Sequence, residues 1–105
     1  MHTNDFFSGK VVVVTGGTDG IGKALVEQLL RSGARVSTCG RKQDKIYQLQ
    51  KEYPSSALHC MVTDVSSEND CRLFIERTCE VFGGIDILIN NAGISMRALM
   101  KDATI

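Results

Sequence analysis

The spacing of apolar positions changes several times along the chain, and each change marks an element. Four valines in a row, Val11 to Val14, form the continuous β-branched run expected of a strand buried on both faces. The run predicts a strand over residues 10–15. The glycine-rich stretch Thr15-Gly16-Gly17-Thr18-Asp19-Gly20-Ile21-Gly22 follows. The pattern then becomes helical over residues 20–32, where Ile21, Leu25 and Leu29 recur every fourth position with Ala24 beside them. Lys23, Glu27 and Arg31 take another face at the same spacing and are placed to pair weakly along it. Gly33 stands where a helix C-cap glycine belongs.

The alternation continues. Residues 35–39 predict a second strand, ending at Gly40-Arg41-Lys42. Ile46, Leu49 and Tyr53 mark a second helix that Pro54 stops. Residues 57–63 predict a third strand. Ser66 and Ser67 are candidate N-caps, with Asn69 and Asp70 three residues on. Cys71, Phe74, Ile75, Thr78, Cys79 and Phe82 then repeat at helical spacing up to Gly83-Gly84. Residues 85–89 predict a fourth strand, and Asn90-Asn91-Ala92-Gly93 follows it. Met96, Leu99 and Met100 suggest the start of a further helix over residues 94–105. Residues 1–9 read as a lead-in whose Phe6 and Phe7 cap one end of the core.

The order βαβαβαβ implies a parallel sheet built from right-handed crossovers. The predicted fold is a truncated α/β, Rossmann-type doubly wound parallel sheet with strand order 3-2-1-4. Residues 10–105 form its N-terminal half. The winding reverses between the first and fourth strands, where such sheets hold ligands beyond the strands' carboxyl ends. Both walls of that crevice carry glycine, at Gly16 to Gly22 and at Gly93. Glycines let a ligand touch backbone, and a helix start offers unpaired N–H groups and partial positive charge. A pyrophosphate suits such a place, so the first turn reads as a dinucleotide-binding one.

Bulk chemistry narrows the field. The 105 residues are 43% hydrophobic and 23% charged, as expected of a globular chain of one domain or part of one. Twelve basic residues balance twelve acidic ones, so net charge favours neither nucleic acid nor anionic membrane. No apolar run nears the roughly 20 residues that span a bilayer, and the N-terminus lacks a signal-peptide pattern. The expected location is cytoplasmic. Cys39, Cys60, Cys71 and Cys79 show no metal spacing and read as buried free thiols. His59 reads as a strand or core residue, not a ligand, and no metal is expected. Ser8-Gly9-Lys10 precedes the first strand without an upstream glycine, unlike a P-loop.

Taken together, TGGTDGIG after the first strand, Asp64-Val65 after the third and NNAG after the fourth resemble the short-chain dehydrogenase/reductase family. The likeness runs from about Lys10 to Met100. It implies that Gly16, Gly20 and Gly22 are the turn glycines, with Thr18, Asp19 and Ile21 contacting ribose and pyrophosphate. It implies that Asp64 accepts from the adenine amino group, with Val65 beside the ring. Asn91, Ala92 and Gly93 would contact the adenosine ribose and central cofactor through their backbone. Asn90 has two readings, a cofactor contact or an amide that ties the fourth strand to its neighbour.

The resemblance also implies hydride transfer between a nicotinamide and a small carbonyl or alcohol. Its ribose-reading acid would stand at position 40, where this chain has Gly40, and Arg41 comes next. A guanidinium can fork onto a 2′-phosphate, so NADP(H) is favoured over NAD(H), with Lys42 adding to the field. Asp19 argues the other way, because some NADP-preferring relatives carry a basic residue in the turn. The family's catalytic Ser and Tyr-x-x-x-Lys lie downstream of NNAG. Tyr47 and Lys51 match the bare pattern on the second predicted helix and read as a solvated i, i+4 pair. No catalytic residue carries over, and the chain is expected to be inactive alone: the cofactor-binding fragment of an oxidoreductase that, completed, can form a homo-oligomer. The alternative is a non-catalytic dinucleotide-binding module or a decayed remnant.

Overall fold

The computed structural model describes residues 4–91. Among these, α1 (Asn4–Phe7), β1 (Val11–Thr15), α2 (Gly20–Arg31), β2 (Arg35–Gly40), α3 (Gln43–Glu52), β3 (Leu58–Val62), α4 (Glu68–Phe82) and β4 (Ile87–Ile89) follow in order. The sheet is parallel with order β3-β2-β1-β4, as the alternating pattern predicts. The expected helix over residues 94–105 lies outside the described residues.

The valine run is the middle of two cores. All five residues of β1 are buried, and successive side chains point to opposite faces. Val13 joins Cys39, Cys71, Phe74 and Ile75 under α4. Val12 and Val14 join Val26, Leu29, Ala34 and Val36 under α2. Ile46, Leu49 and Cys60 form a smaller cluster beneath α3. Helices therefore cover both faces, which is why β1 has no polar alternation. Cys39, Cys60 and Cys71 are buried free thiols, and Cys79 is only half-buried.

Four details depart from the sequence reading. The buried line of α2 runs through Gly22, Val26 and Leu29, while Ile21 is 82% exposed and Ala24 is exposed. The helix rests on the sheet through a glycine, which shifts the contact line by one residue. Lys23 pairs with Glu52 at 3.0 Å, tying α2 to α3 instead of stapling α2 along its length. In the lead-in, α1 is an unpredicted helical turn. Phe7 packs on the α2 core, but Phe6 is 62% exposed beneath the Lys10 ammonium. Finally, β4 begins at Ile87 because Asp86 clasps the start of β1 differently. Its carboxylate accepts from the Val11 N–H at 2.8 Å, while its own N–H donates to the Val11 carbonyl at 2.9 Å.

Candidate functional site

At the carboxyl end of β1 the chain turns through Gly16, whose φ of 71° is open to glycine and costly for other residues. Gly22 comes back against this turn. A Cβ on Gly22 would stand 2.1 Å from the Gly16 carbonyl oxygen and 2.9 Å from Nδ2 of Asn91. The first turn of α2 is thus pressed onto both the glycine loop and the end of β4. A Cβ on Gly17 would meet Thr38 Oγ1 at 2.1 Å, so this second glycine serves packing.

Thr15 holds the two walls together. Its hydroxyl donates to Oδ1 of Asn90 at 3.1 Å and accepts from the Asn91 N–H at 2.7 Å. The Asn90 amide therefore ties β4 to its neighbour, one of its two sequence readings. Ala92 and Gly93 lie outside the described residues.

Asp19 is the N-cap of α2 but makes no side-chain cap bond, and the helix has no acid in its first turn. The first-turn N–H groups lack intrahelical acceptors, and their partial positive charge is not quenched by a local carboxylate. The Asp19 carboxylate instead pairs with Nζ of Lys45 on α3.

At the end of β2 stands Gly40, where a Cβ would lie 2.8 Å from Oγ1 of Thr18. Arg41 and Lys42 follow, both exposed. Gly16, Gly40, Arg41, Lys45, Thr63 and Val65 are among the walls of a cleft of about 240 Å³ between the ends of β1, β2 and β3. Asp64 borders the same end of the sheet. Its Oδ1 accepts from the N–H of Ser66 at 3.0 Å and from its hydroxyl at 2.6 Å. These bonds, with the positive field of Arg41, hold the Asp64 carboxyl below the usual carboxylate range. Its N–H donates to Oδ2 of Asp70 at 2.9 Å, and Asp70 is fixed in turn by the Ser67 cap of α4.

Nearly all the described residues singled out from the sequence converge here: Gly16, Thr18, Asp19, Gly20, Ile21, Gly22, Arg41, Asp64, Val65 and Asn91 sit around the carboxyl ends of the strands. The Tyr47–Lys51 pair does not. Tyr47 is 63% exposed on α3, with the Lys51 ammonium 5.8 Å over its ring. Under the turn, burial pushes the Cys39 thiol up to about 11, so it has no nucleophilic character at neutral pH. Among the described residues no group of three or more His, Cys, Asp or Glu is placed to hold a metal ion. No helix among them is long and apolar enough to cross a membrane.

The family profile described as short chain dehydrogenase matches residues 10–105. The chain belongs to that family. Within it, the chain is 36% identical over 101 residues to a glucose 1-dehydrogenase of Gluconobacter oxydans, covering 93% of this chain and 38% of that protein. The glucose dehydrogenase of Caenorhabditis elegans, solved in its apo form, superposes with a TM-score of 0.78 at 31% identity. That match covers 88% of this chain and 41% of the other. An NADPH-bound short chain oxidoreductase from Pseudomonas aeruginosa, with an atypical catalytic center, superposes with a TM-score of 0.74 at 37% identity. It covers 85% of this chain and 37% of that one. The chain thus spans about two-fifths of the length of these dehydrogenases.

Three residues of the site escaped the sequence reading. Thr15 had a signal, since a polar residue closing a fully buried strand needs hydrogen-bond partners. Gly17 was given no role of its own among the glycines of the turn. Lys45 had no signal, because its partner Asp19 lies 26 positions away and only the fold brings them together.

Proposed function

We propose that this chain is the coenzyme-binding part of an NADP(H)-dependent oxidoreductase acting on a small carbonyl or alcohol. The bound coenzyme would give the hydride to a carbonyl carbon or take it from an alcohol carbon. The chain's own residues bind and orient it. Gly16 and Gly22 bring backbone close to the pyrophosphate, and the uncapped first turn of α2 takes its charge. Exposed Ile21 covers the coenzyme's apolar side. Asp64 retains Oδ2 for the adenine amino group, beside Val65, and the backbone of Asn91, Ala92 and Gly93 borders the ribose and nicotinamide side. Residues 10–105 act as one dinucleotide-binding unit after the lead-in of residues 1–9. Free thiols suit a reducing cytoplasmic setting.

The observation that carries the NADP(H) reading is the end of β2. A ribose-reading carboxylate is replaced by Gly40, packed on Thr18, and the next side chain into the cleft is Arg41. That the Pseudomonas relative was solved with NADPH bound is in keeping with this reading. Tyr47 and Lys51, exposed on α3, have no access to the cleft, so the 105 residues hold the coenzyme without turning it over. Calorimetric titration of the purified chain with NADPH and NADH tests the assignment. Arg41→Asp should weaken NADPH by about tenfold or more, the lower end for a charge-assisted contact at an exposed site. NADH binding should hold or improve, and equal loss of both would sink the assignment.

A further inference from the structure

We infer that Lys45 is a specificity-determining residue of the 2′-phosphate pocket, held beside the pocket by Asp19 and transferred to the phosphate when coenzyme binds. This rests on the NADP(H) reading above and deepens it.

Three observations converge. First, Lys45 borders two adjoining clefts. One, about 240 Å³, lies beyond Gly40 and Arg41; the other, about 190 Å³, lies between α2 and α3 and includes Thr18, Asp19 and Gly20. A lysine there can swing from one to the other by rotating its own flexible stem. Second, Asp19 spends its carboxylate on Lys45 and not on the helix it starts. Capping would have been the locally favoured use of an Asp at that place. Third, Arg41, Lys42 and Lys45 face the first cleft against the single carboxylate of Asp19. Three cations and one anion line that cleft, with the Asp64 carboxylate just outside it in the field of Arg41, so the lining is positive on balance and suits a phosphomonoester. Lys42 is also the N-cap of α3 and adds no side-chain cap bond.

Asp19 looked like an obstacle to a phosphate. Paired with Lys45, it is neutralised while the pocket is empty. An arriving 2′-phosphate carries more charge than one carboxylate and wins the lysine. NADH brings no such group, so the pair stays closed. The preference thus depends on a residue of α3 reaching a ligand bound chiefly by loops after β1 and β2.

The test is titration of the purified chain with NADPH and NADH, in the wild type and in the K45Q, D19N and K23Q variants. K45Q should weaken NADPH about fivefold to tenfold and leave NADH within about twofold. D19N should tighten NADPH about twofold to fivefold, because the competing carboxylate is gone. K23Q removes the neighbouring α2–α3 ion pair without touching the cleft beyond Gly40 and Arg41, and should leave the ratio of NADPH to NADH affinity unchanged. An NADPH preference undiminished in K45Q overturns this inference alone, as does equal loss of both nucleotides or NADPH binding that fails to tighten in D19N. A wild-type chain without any preference for NADPH overturns the underlying reading as well.

Discussion

Beneath α4, Ser37, His59 and Thr78 bond to one another; at the ends of β1 and β2, Thr18, Arg41 and Lys45 surround open space. The Thr78 hydroxyl donates to the Phe74 carbonyl at 2.9 Å. It must then accept from Ser37, 2.6 Å away, and Ser37 must accept from Nδ1–H of His59 at 3.0 Å. The chain of donors ends inside the protein. His59 also stacks on Phe74 with centroids 6.4 Å apart. The Ser37 proton is committed to Thr78 and the residue is fully buried, so it does not meet a substrate, although Ser beside His resembles a nucleophilic pair. In the cleft the first-turn N–H groups of α2 have no carboxylate cap, and the nearby charges are exposed. Polar groups consumed internally mark structure, and polar groups held at an opening mark a site.

The largest expected effect strikes the cleft. Gly22→Ala places a methyl 2.1 Å from a backbone oxygen that cannot rotate away. It should cost about 2–3 kcal/mol in a urea melt, as overpacking does, and should reduce NADPH binding by more than about tenfold through displacement of the turn. If stability fell while NADPH affinity held, the turn would be scaffold only, and the contrast would fail.

Next in size is the knot under α4. Thr78→Val keeps the shape and removes both hydrogen bonds, leaving Ser37 without its acceptor. A loss of about 1–2 kcal/mol is expected in the same melt, with NADPH and NADH affinities unchanged. A coenzyme effect would place the knot in the binding machinery.

The smallest effect is pH dependence. Burial, then the nearby Arg77, lowers the pKa of His59 from 6.5. The unfolded chain therefore binds this proton more readily than the folded one. Stability should decline as pH falls through 6.5 toward the lower folded value and level off below it. The decline should be missing in His59→Gln. A wild-type melting point that rises on mild acidification would reverse the sign and disprove the assignment.

Much of this was legible in the chain, for a physical reason. A doubly wound sheet needs strands buried on both faces, and Val11–Val14 announces one without ambiguity. The three motifs sit at strand ends because the fold leaves backbone uncovered there, so their spacing already carried the sheet order. What stayed hidden depended on rotation and on distance. The α2 stripe was read one residue off because a glycine, invisible to any count of apolar residues, is the point of contact at Gly22. Lys23 with Glu52 and Lys45 with Asp19 pair across helices whose relative placement the sheet decides. The Asp86 carboxylate takes the Val11 N–H while its own N–H keeps a backbone bond to Val11, a clasp that no propensity encodes.

The Thr15 hydroxyl touches both Asn90 and Asn91, and so fastens the end of one strand to the loop leaving another. One oxygen atom consequently joins the two walls, beyond the last paired residues of β1 and β4, before any nucleotide arrives. A binding gap already at its working width spends little free energy on reorganisation when it is filled. The entropic cost of shaping it was met during folding, when β1 and β4 first came into register.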